Sequence, residues 1–285
     1  LTGIDANKSS STSYCHQNIP ALQTEYVSIL KELCESLSDD YQSIGYAAEK
    51  NFGSRKAPTS NVIQNIFATL KFRIISQKED DWIAIFNHYN LWMWHFLLLF
   101  TAARPVAEFP GFLKSFNLKR KICMVSDKEV GGRQGYGRLI PLGHFVVQEL
   151  QKFIDFLDYF KTHIAPSQPE IPQHIQQILE SKLPLLNIFQ DGQWKPLKPS
   201  IIKKFNPELD LHHENWHRHT ARAFLSHKIS EIEILALFGH EPMQQEAAHP
   251  YSSLSISQYS SIAHILEQMK DHFNITGIEL DVLTQ

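Results

Sequence analysis

Residues that could bind and attack a phosphodiester are concentrated in the C-terminal third of the chain. The stretch Asn215–Arg222 (NWHRHTAR) is followed by Leu237–His240 (LFGH) and then by Tyr251. An arginine guanidinium binds two phosphoryl oxygens at once and stays charged at any working pH. A histidine exchanges a proton near neutral pH, and a tyrosine hydroxyl becomes a nucleophile once it is deprotonated. These residue types predict phosphodiester chemistry that uses no metal ion.

Two motifs further upstream carry side chains of the same kind. Thr101–Glu108 (TAARPVAE) follows an apolar run and contains Arg104. Cys123–Lys128 (CMVSDK), a glycine-rich connection and Gly137–Leu142 (GRLIPL) predict a β-hairpin, because two β-prone runs flank a turn-forming segment. The hairpin would place a lysine at the end of its first strand.

The order of these residues resembles the catalytic half of the tyrosine recombinases, the phage-integrase family of DNA strand-exchange enzymes. The matching positions, over about 150 residues, are Arg104, Lys128, Arg218, His240 and Tyr251. The resemblance implies a mainly α-helical domain with a small β-hairpin or sheet, the catalytic-domain fold of that family. It also implies a site-specific recombinase or integrase that needs no metal, ATP or other cofactor. The Asn-Trp-His-Arg-His form resembles a divergent bacterial branch that is often carried on mobile genetic elements.

The resemblance also implies a role for each of the five side chains. Arg104 and Arg218 would flank the scissile phosphate and offset the charge that gathers on its oxygens in the transition state. Tyr251 would attack the phosphorus, leaving a 3′-phosphotyrosyl bond and a free 5′-hydroxyl. Lys128 would act as the general acid, and His240 would donate a hydrogen bond to the phosphate or help to deprotonate the tyrosine.

The arginine motif departs from the family pattern His-x-x-Arg-His at its first position. Asn215 stands where the first histidine is usual, so the histidine that handles a proton is missing. A second register makes His219 and Arg222 the His-x-x-Arg pair. The family spacing is closer to the 22 residues from Arg218 to His240 than to the 18 from Arg222. We therefore prefer Arg218, treat His219 as structural, and expect Arg222 to reach the same or a neighbouring phosphate.

The nucleophile has two candidates. Tyr251 is 11 residues after His240, and Tyr259 is 19 residues after it. The family spacing is shorter than either and falls on His249. Tyr251 fits better, because Tyr259 is expected to pack on a final helix. If neither tyrosine reaches the phosphate, the protein is a DNA-binding relic of the recombinase fold that has lost cleavage.

A net charge of −3 does not indicate nucleic-acid binding, so any DNA contact must come from local clusters of cations. Such clusters occur at Lys114–Lys121 and Lys195–Lys204. The alternative is a solvated charged face. The DNA contacts that we expect are Lys119, Arg120, Lys121, Arg133, Arg138, Lys203 and Lys204.

The expected partners are double-stranded DNA and further copies of the chain, because recombinases of this type act as tetramers on two duplexes. The long apolar stretch from 82 to 100 carries Asn87, His88, Asn90 and His95, which predicts a buried helix rather than a membrane span. Three cysteines without CxxC spacing favour a reducing compartment, so we expect a cytoplasmic protein of the bacterial nucleoid.

The histidines at 212–219 would indicate a different class of protein. His213 and His217 have the i, i+4 spacing of a helical zinc pair, with Glu214 between them. This pattern would indicate a metal-dependent hydrolase. It leaves Arg104 and Tyr251 without a role, and we expect no metal site.

The hydrophobic pattern divides the chain into a loose polar tail (1–18), a helical segment (19–78) that is a remnant of, or a linker to, a DNA-clamping domain, and a catalytic domain (79–285). Helices are expected from about 20 to 38, from an N-cap at Ser60, and from Asp80 or Asp81 to Arg104, where Pro105 would end the helix. Further helices are expected at about 145–157, 174–179, 215–226, 231–238 and 257–273. The segment 183–207 contains four prolines and is expected to be irregular.

Overall fold

A computed structural model describes residues 17–18, 24, 28, 51–52, 56–77, 81–126, 138–163, 170–205, 212–239 and 256–280. These residues are mainly α-helical with small antiparallel sheets, as expected. The helices are α1 (Ser60–Ile75), α2 (Trp82–Thr101), α3 (His144–His163), α4 (Glu170–Leu179), α5 (Pro199–Phe205), α6 (Trp216–Leu225), α7 (Glu231–Phe238) and α8 (Ile256–His272). The strands are β1 (Gln17–Asn18), β2 (Asn51–Phe52), β3 (Phe116–Asn117), β4 (Ile122–Val125), β5 (Arg138–Pro141), β6 (Asn187–Gln190) and β7 (Gln193–Pro196).

Helix α2 forms the centre of the hydrophobic core. Its residues from Tyr89 to Thr101 are all buried, and it packs against α1, α3, α6 and β6. A helix that is apolar on every side is expected inside a protein when its few polar groups find partners. Among the described residues, no helix combines the length and the apolar character that crossing a membrane requires.

The ends of α2 are set by local interactions. The Asp81 carboxylate accepts a hydrogen bond of 3.1 Å from the backbone N–H of Ala84, which is the expected N-cap. The helix ends at Thr101, so the prediction that it runs to Arg104 is wrong by three residues. Ala102 takes a left-handed conformation (φ 49°) and ends the helix before Pro105 can do so.

The predicted hairpin is present as β4 and β5. Cys123 pairs with Ile140 and Val125 with Arg138, and β3 adds a third antiparallel strand on the other side of β4. Cys123 and Val125 are buried while Met124 between them is exposed, which is the alternation of a strand with one face on the core.

The described part of this segment, residues 183–205, is largely regular, so the prediction of an irregular segment is wrong. It contains the hairpin β6–β7 and helix α5. Asp191 and Gly192 both have positive φ (54° and 71°), as in the tight turns that favour hairpins. Two of its prolines stand where proline is tolerated, Pro196 at the end of β7 and Pro199 at the start of α5.

Two buried asparagines of α2 fix the position of β6. The Asn90 side-chain oxygen accepts from the backbone N–H of Asn187 (3.0 Å). The Asn87 side chain accepts from the N–H of Phe189 and donates to its carbonyl, at 2.8 Å each. The polar residues that interrupt the apolar run therefore hold the hairpin on the core helix.

The other expected elements lie close to their predicted bounds, with small shifts. Helix α1 begins at Ser60 itself and its N-cap is Thr59. Helix α4 begins at Glu170, four residues before its predicted start. In the predicted tail, β1 pairs with β2. The predicted helix from 20 to 38 lies outside the described residues except for Thr24 and Ser28, which are helical.

The segment after α8 is fastened to α3 by a buried carboxylate. Glu149 is 1% exposed, and its Oε2 accepts from the backbone N–H of Ile278 (2.8 Å), while Lys152 donates to its Oε1 (2.9 Å). A Cβ atom at Gly277 would overlap both carboxylate oxygens of Glu149. A side chain at position 277 would thus displace the Glu149 carboxylate.

We expect Gly277→Ala to lower the free energy of unfolding by about 1–3 kcal/mol, because the new methyl group displaces the Glu149 carboxylate from its donors. Chemical denaturation measures this loss. In a Glu149→Ala background the carboxylate is absent, so Gly277→Ala is expected to lower the free energy of unfolding much less. Simple additivity of the two losses would contradict the proposed overlap.

Candidate functional site

The guanidinium of Arg218 is buried between the C-terminal ends of α2 and α7. Nη1 donates to the carbonyl of Ala102 at 2.6 Å, and Nη2 donates to the carbonyl of Phe238 at 2.5 Å. The Phe238 ring lies 4.5 Å from the guanidinium carbon, and Arg218 is 1% exposed. Carbonyls at a helix C-terminus lack partners within the helix, and the helix dipole favours a cation there. One side chain therefore caps two helices.

These two hydrogen bonds bring together segments that the sequence predicts to share a site. Ala102 is two residues before Arg104, which is half-buried in the turn after α2. Phe238 is two residues before His240. The turn around Ala102 and the turn that leads to His240 are thus joined by Arg218.

Arg138 of β5 lies against the same two turns. Its Nη2 is 3.5 Å from the Ala102 carbonyl oxygen, and it is 8% exposed. A Cβ atom at Gly239 would lie 3.3 Å from its Cδ, and Gly239 itself has φ +59°. Arg138, which we expect to contact DNA, is thus buried beside the arginine motif.

The hydrogen bonds of Arg218 limit what it can do in this conformation. Nη1 and Nη2 both donate to main-chain carbonyls, and the side chain is almost fully buried. A phosphate would contact these nitrogens only after at least one bond to a carbonyl is exchanged for a bond to a phosphoryl oxygen. The geometry supports a positioning role for Arg218 in the absence of DNA.

Arg222, the arginine of the second register, is buried and forms an ion pair with an exposed carboxylate. Its Nη2 lies 2.6 Å from both carboxylate oxygens of Glu231, at the start of α7. Its guanidinium carbon is 5.9 Å from the centre of the Phe238 ring. Arg222 therefore joins α6 to α7, and its charge is matched by a carboxylate.

Asn215 and His219 lie on either side of Arg218 in the chain. Asn215 is the N-cap residue of α6, although its side chain makes no capping hydrogen bond. His219 is 4% exposed, and its ring lies edge-on to His213 with centroids 5.8 Å apart. The burial of His219 suits the structural role that we expect for it.

A histidine pair that the sequence does not reveal lies between α2 and α6. His95 Nδ1 and His217 Nε2 are 2.8 Å apart, and the two rings are stacked with centroids 5.0 Å apart. Burial lowers the pKa of His95 to about 4, and burial followed by the charge of His95 lowers the pKa of His217 well below its usual range. Both rings are therefore neutral near pH 7. Two histidines 122 residues apart give no local pattern, and the only sequence signal is a polar residue in the apolar run.

Neutral paired imidazoles present one donor and one acceptor at their outer nitrogens, whichever tautomer is present. Within the described part of the chain, neither His95 Nε2 nor His217 Nδ1 has a hydrogen-bond partner. Both histidines line a cavity of about 50 Å³ together with Pro105, the residue after Arg104. A water molecule fits a space of this size.

The helical zinc pair does not form. Helix α6 begins at Trp216, so His213 precedes it, and His213 is exposed while His217 is buried against His95. Among residues that the structure describes, no group of three or more His, Cys, Asp or Glu side chains could hold a metal ion. The metal-dependent hydrolase has no support from this geometry.

The remaining candidates fall in several places. Lys119, Arg120 and Lys121 are exposed in the turn between β3 and β4. Lys204 is exposed on α5, whereas Lys203 pairs with Glu214 at 3.1 Å. Tyr259 lies on α8. The candidates outside the described residues are Lys128, Arg133, His240, His249 and Tyr251.

No protein-family model matches the chain, and no curated protein matches it either. The resemblance to tyrosine recombinases therefore depends on the five motif residues and their order. Of these five, the structure describes Arg104 and Arg218. Arg218 donates to the carbonyl of Ala102, two residues before Arg104.

We expect Arg218→Met to lower the free energy of unfolding by about 3–5 kcal/mol, because the substitution removes a charged donor from two buried carbonyls. Thermal and denaturant unfolding measure the effect. Arg120→Met, at an exposed position, is the matched control and should change stability by less than about 0.5 kcal/mol. Equal losses for the two variants would show that the helix ends do not depend on Arg218.

The histidine pair predicts a loss of stability in acid. Since the unfolded chain protonates its histidines near pH 6.5 and folded His95 does so only at about 4, the unfolded state binds more protons between these values. The stabilisation is complete above pH 6.5 and disappears as the pH falls towards 4, by about 3 kcal/mol for His95. Denaturation at several pH values should show a flatter profile for His95→Gln, while exposed His227→Gln keeps the wild-type slope.

Proposed function

We propose that this protein is a tyrosine recombinase, which cuts and rejoins double-stranded DNA through a 3′-phosphotyrosyl intermediate. The supporting observation is the bridge that Arg218 makes between the turn before Arg104 and the turn before His240. Through this bridge, segments more than a hundred residues apart in the chain meet, and the proposed site needs them close together. Arg138, from the strand that returns after Lys128, reaches the same carbonyl.

The reaction conserves the energy of the phosphodiester bond. The Tyr251 hydroxyl oxygen bonds to phosphorus as it gives up its proton, and the bond from phosphorus to the 5′-oxygen breaks. Lys128 gives a proton to the departing 5′-oxygen, while His240 donates a hydrogen bond to the phosphate or accepts the tyrosine proton. The arginines stabilise the negative charge of the pentacoordinate phosphorus. Attack by another 5′-hydroxyl reverses these steps without nucleotide.

The partners and the fold are part of the same proposal. Residues 79–285 would form the recombinase catalytic domain, and residues 19–78 a remnant of, or a linker to, a DNA-clamping domain. The active form would be a tetramer on two duplexes in the bacterial nucleoid. The mainly helical core with its small hairpin is compatible with this domain.

We expect a covalent protein–DNA adduct when the protein is mixed with a pool of nicked, end-labelled duplexes of randomised sequence. The nick lets the short 5′-hydroxyl strand diffuse away, so the phosphotyrosyl bond persists on a denaturing gel. Tyr251→Phe should abolish the adduct and Tyr259→Phe should retain it. Chelator should have no effect, because no step uses a metal ion.

Loss of the adduct in Tyr259→Phe, with retention in Tyr251→Phe, would transfer the nucleophile to Tyr259. DNA cleavage that forms no adduct and is lost with chelator would instead favour a metal-dependent hydrolase. The three outcomes are distinguishable on one gel, and mass spectrometry of the nuclease-digested adduct identifies the modified tyrosine directly.

A second candidate function is DNA binding without cleavage on the same fold. The observation that favours it is that both terminal nitrogens of Arg218 already bind main-chain carbonyls. Stable, salt-sensitive binding to duplex DNA together with no adduct on any member of the pool would support this function over recombination.

A further inference from the structure

A broad cleft with several cations lies beside the turn that follows Arg104. Its volume is about 510 Å³, within the range of roughly 300–1,000 Å³ that is usual for ligand clefts. One wall is the stretch from β7 to α5, and the other includes Ala107 and Glu108. Glu108 is only four residues after Arg104, so the cleft borders the proposed active site.

The cleft carries an excess of positive charge. Lys195, Lys198 and Lys204 line it, against the single carboxylate of Glu108. Lys198 and Lys204 are exposed and form no ion pair within the described ranges of the chain. Lys195 has only a distant carboxylate, Asp191, with 3.9 Å between Nζ and Oδ2. An exposed pair of this length contributes little, so all three ammonium groups remain available to an anion.

Neutral donors accompany the lysines. Ser200 and Gln190 also line the cleft, and Ser200 and Lys204 are four residues apart on α5, which places them on one face of the helix. Hydroxyl and amide groups of this kind commonly donate to phosphate oxygens beside lysines. Together with the lysines, these groups offer donors to the phosphates of a phosphodiester, beside apolar residues such as Trp194 and Ile201.

The structure separates the lysine run at 195–204 into two groups. Lys203 does not line the cleft and pairs with Glu214 at 3.1 Å. It lines instead the small cavity beside His95, together with Pro105. Only the lysines at 195, 198 and 204 share the broad cleft.

The wall that carries the lysines is held rigidly. The backbone N–H of Glu108 donates to the carbonyl of Leu197 (3.2 Å), and the N–H of Leu197 donates to the carbonyl of Leu186 (3.0 Å). Leu197 is fully buried next to the exposed Lys198. The ammonium groups therefore extend from a backbone that is fixed relative to the turn after α2.

We propose that this cleft binds the sugar-phosphate backbone of duplex DNA next to the phosphate that is cut. The proposal depends on the proposed function for the identity of the partner. The lysines contact phosphates and not base edges, so they position the duplex and add affinity without reading its sequence.

The test compares Lys195→Gln/Lys198→Gln/Lys204→Gln with a charge-matched control, Lys161→Gln/Lys182→Gln/Lys228→Gln, whose lysines do not line the cleft. Fluorescence anisotropy measures binding of a labelled duplex of arbitrary sequence over a range of salt concentrations. Each lost phosphate contact lowers the slope of log K against log salt by about 0.9. We expect the cleft variant to lose roughly 3 from the slope and more than about tenfold in affinity, for every duplex sequence.

The control variant should stay close to the wild type, and the corresponding triple Lys→Arg variant should retain binding because it keeps the three charges. Equal losses in the cleft and control variants would overturn the proposal, since the effect would then reflect net charge alone. The absence of any duplex binding by the wild type would overturn it as well.

Two further results separate this cleft from other interpretations. Wild-type binding that the cleft variant loses, with no covalent adduct on any DNA, would leave the cleft in place and contradict recombination. Saturable binding of inorganic pyrophosphate at constant ionic strength, lost in the cleft variant while duplex affinity is unchanged, would show a site for free phosphate compounds and overturn the DNA assignment.

Discussion

The structure around the candidate site depends on one buried guanidinium that neutralises the ends of two helices. Without Arg218, the buried carbonyls of Ala102 and Phe238 would each lose a charged donor, at a cost that is a large part of the stability of a domain. The ion pair of Arg222 with Glu231 acts one helical turn away and fixes the start of α7 as Arg218 fixes its end. The arginine motif therefore has a structural role, because it joins α6 to both ends of α7 and to the turn after α2.

This arrangement explains how a strained turn persists in the core. Ala102 has a left-handed backbone, which costs an alanine roughly 1–2 kcal/mol. Two guanidinium groups, of Arg218 and Arg138, converge on its carbonyl oxygen, and hydrogen bonds from charged donors are stronger than neutral ones. The turn that orients Arg104 is thus held in place by the residues it is expected to work with, so a bound phosphate would compete with that carbonyl for the same donors.

The elements that could be predicted from sequence are those with a strong local pattern. The long apolar run predicts α2. Two β-prone runs on either side of a glycine-rich connection predict β4 and β5. The hairpin β6–β7 was not predicted, because its prolines suggest irregular structure when the partners of the strand are unknown. Its stability comes from Asn87 and Asn90, about one hundred residues earlier, and no local rule contains that information.

The candidate site shows the same division. Residue order suggested that Arg104 and Arg218 belong together, and the contact through Ala102 is consistent with it. Order alone could not show that the nitrogens of Arg218 bind carbonyls, nor that His217 pairs with His95 instead of a metal. Both depend on which nitrogen faces which neighbour, a property of packing between helices. The lysines at 195–204 form one run in the sequence, yet their side chains serve two different surfaces.

The side-chain amides of Asn87 and Asn90 make the hydrogen bonds that a neighbouring strand would otherwise make with β6. Along β6, the backbone groups of Asn187 and Phe189 point away from β7. The Asn90 side chain accepts from the N–H of Asn187, and the Asn87 side chain bonds both the N–H and the carbonyl of Phe189. Opposite Asn187 stands Pro196, which has no N–H to lose. Since an open strand edge can recruit a strand from another molecule, the asparagines close the hairpin to β-sheet aggregation while leaving its lysine-bearing side exposed to solvent.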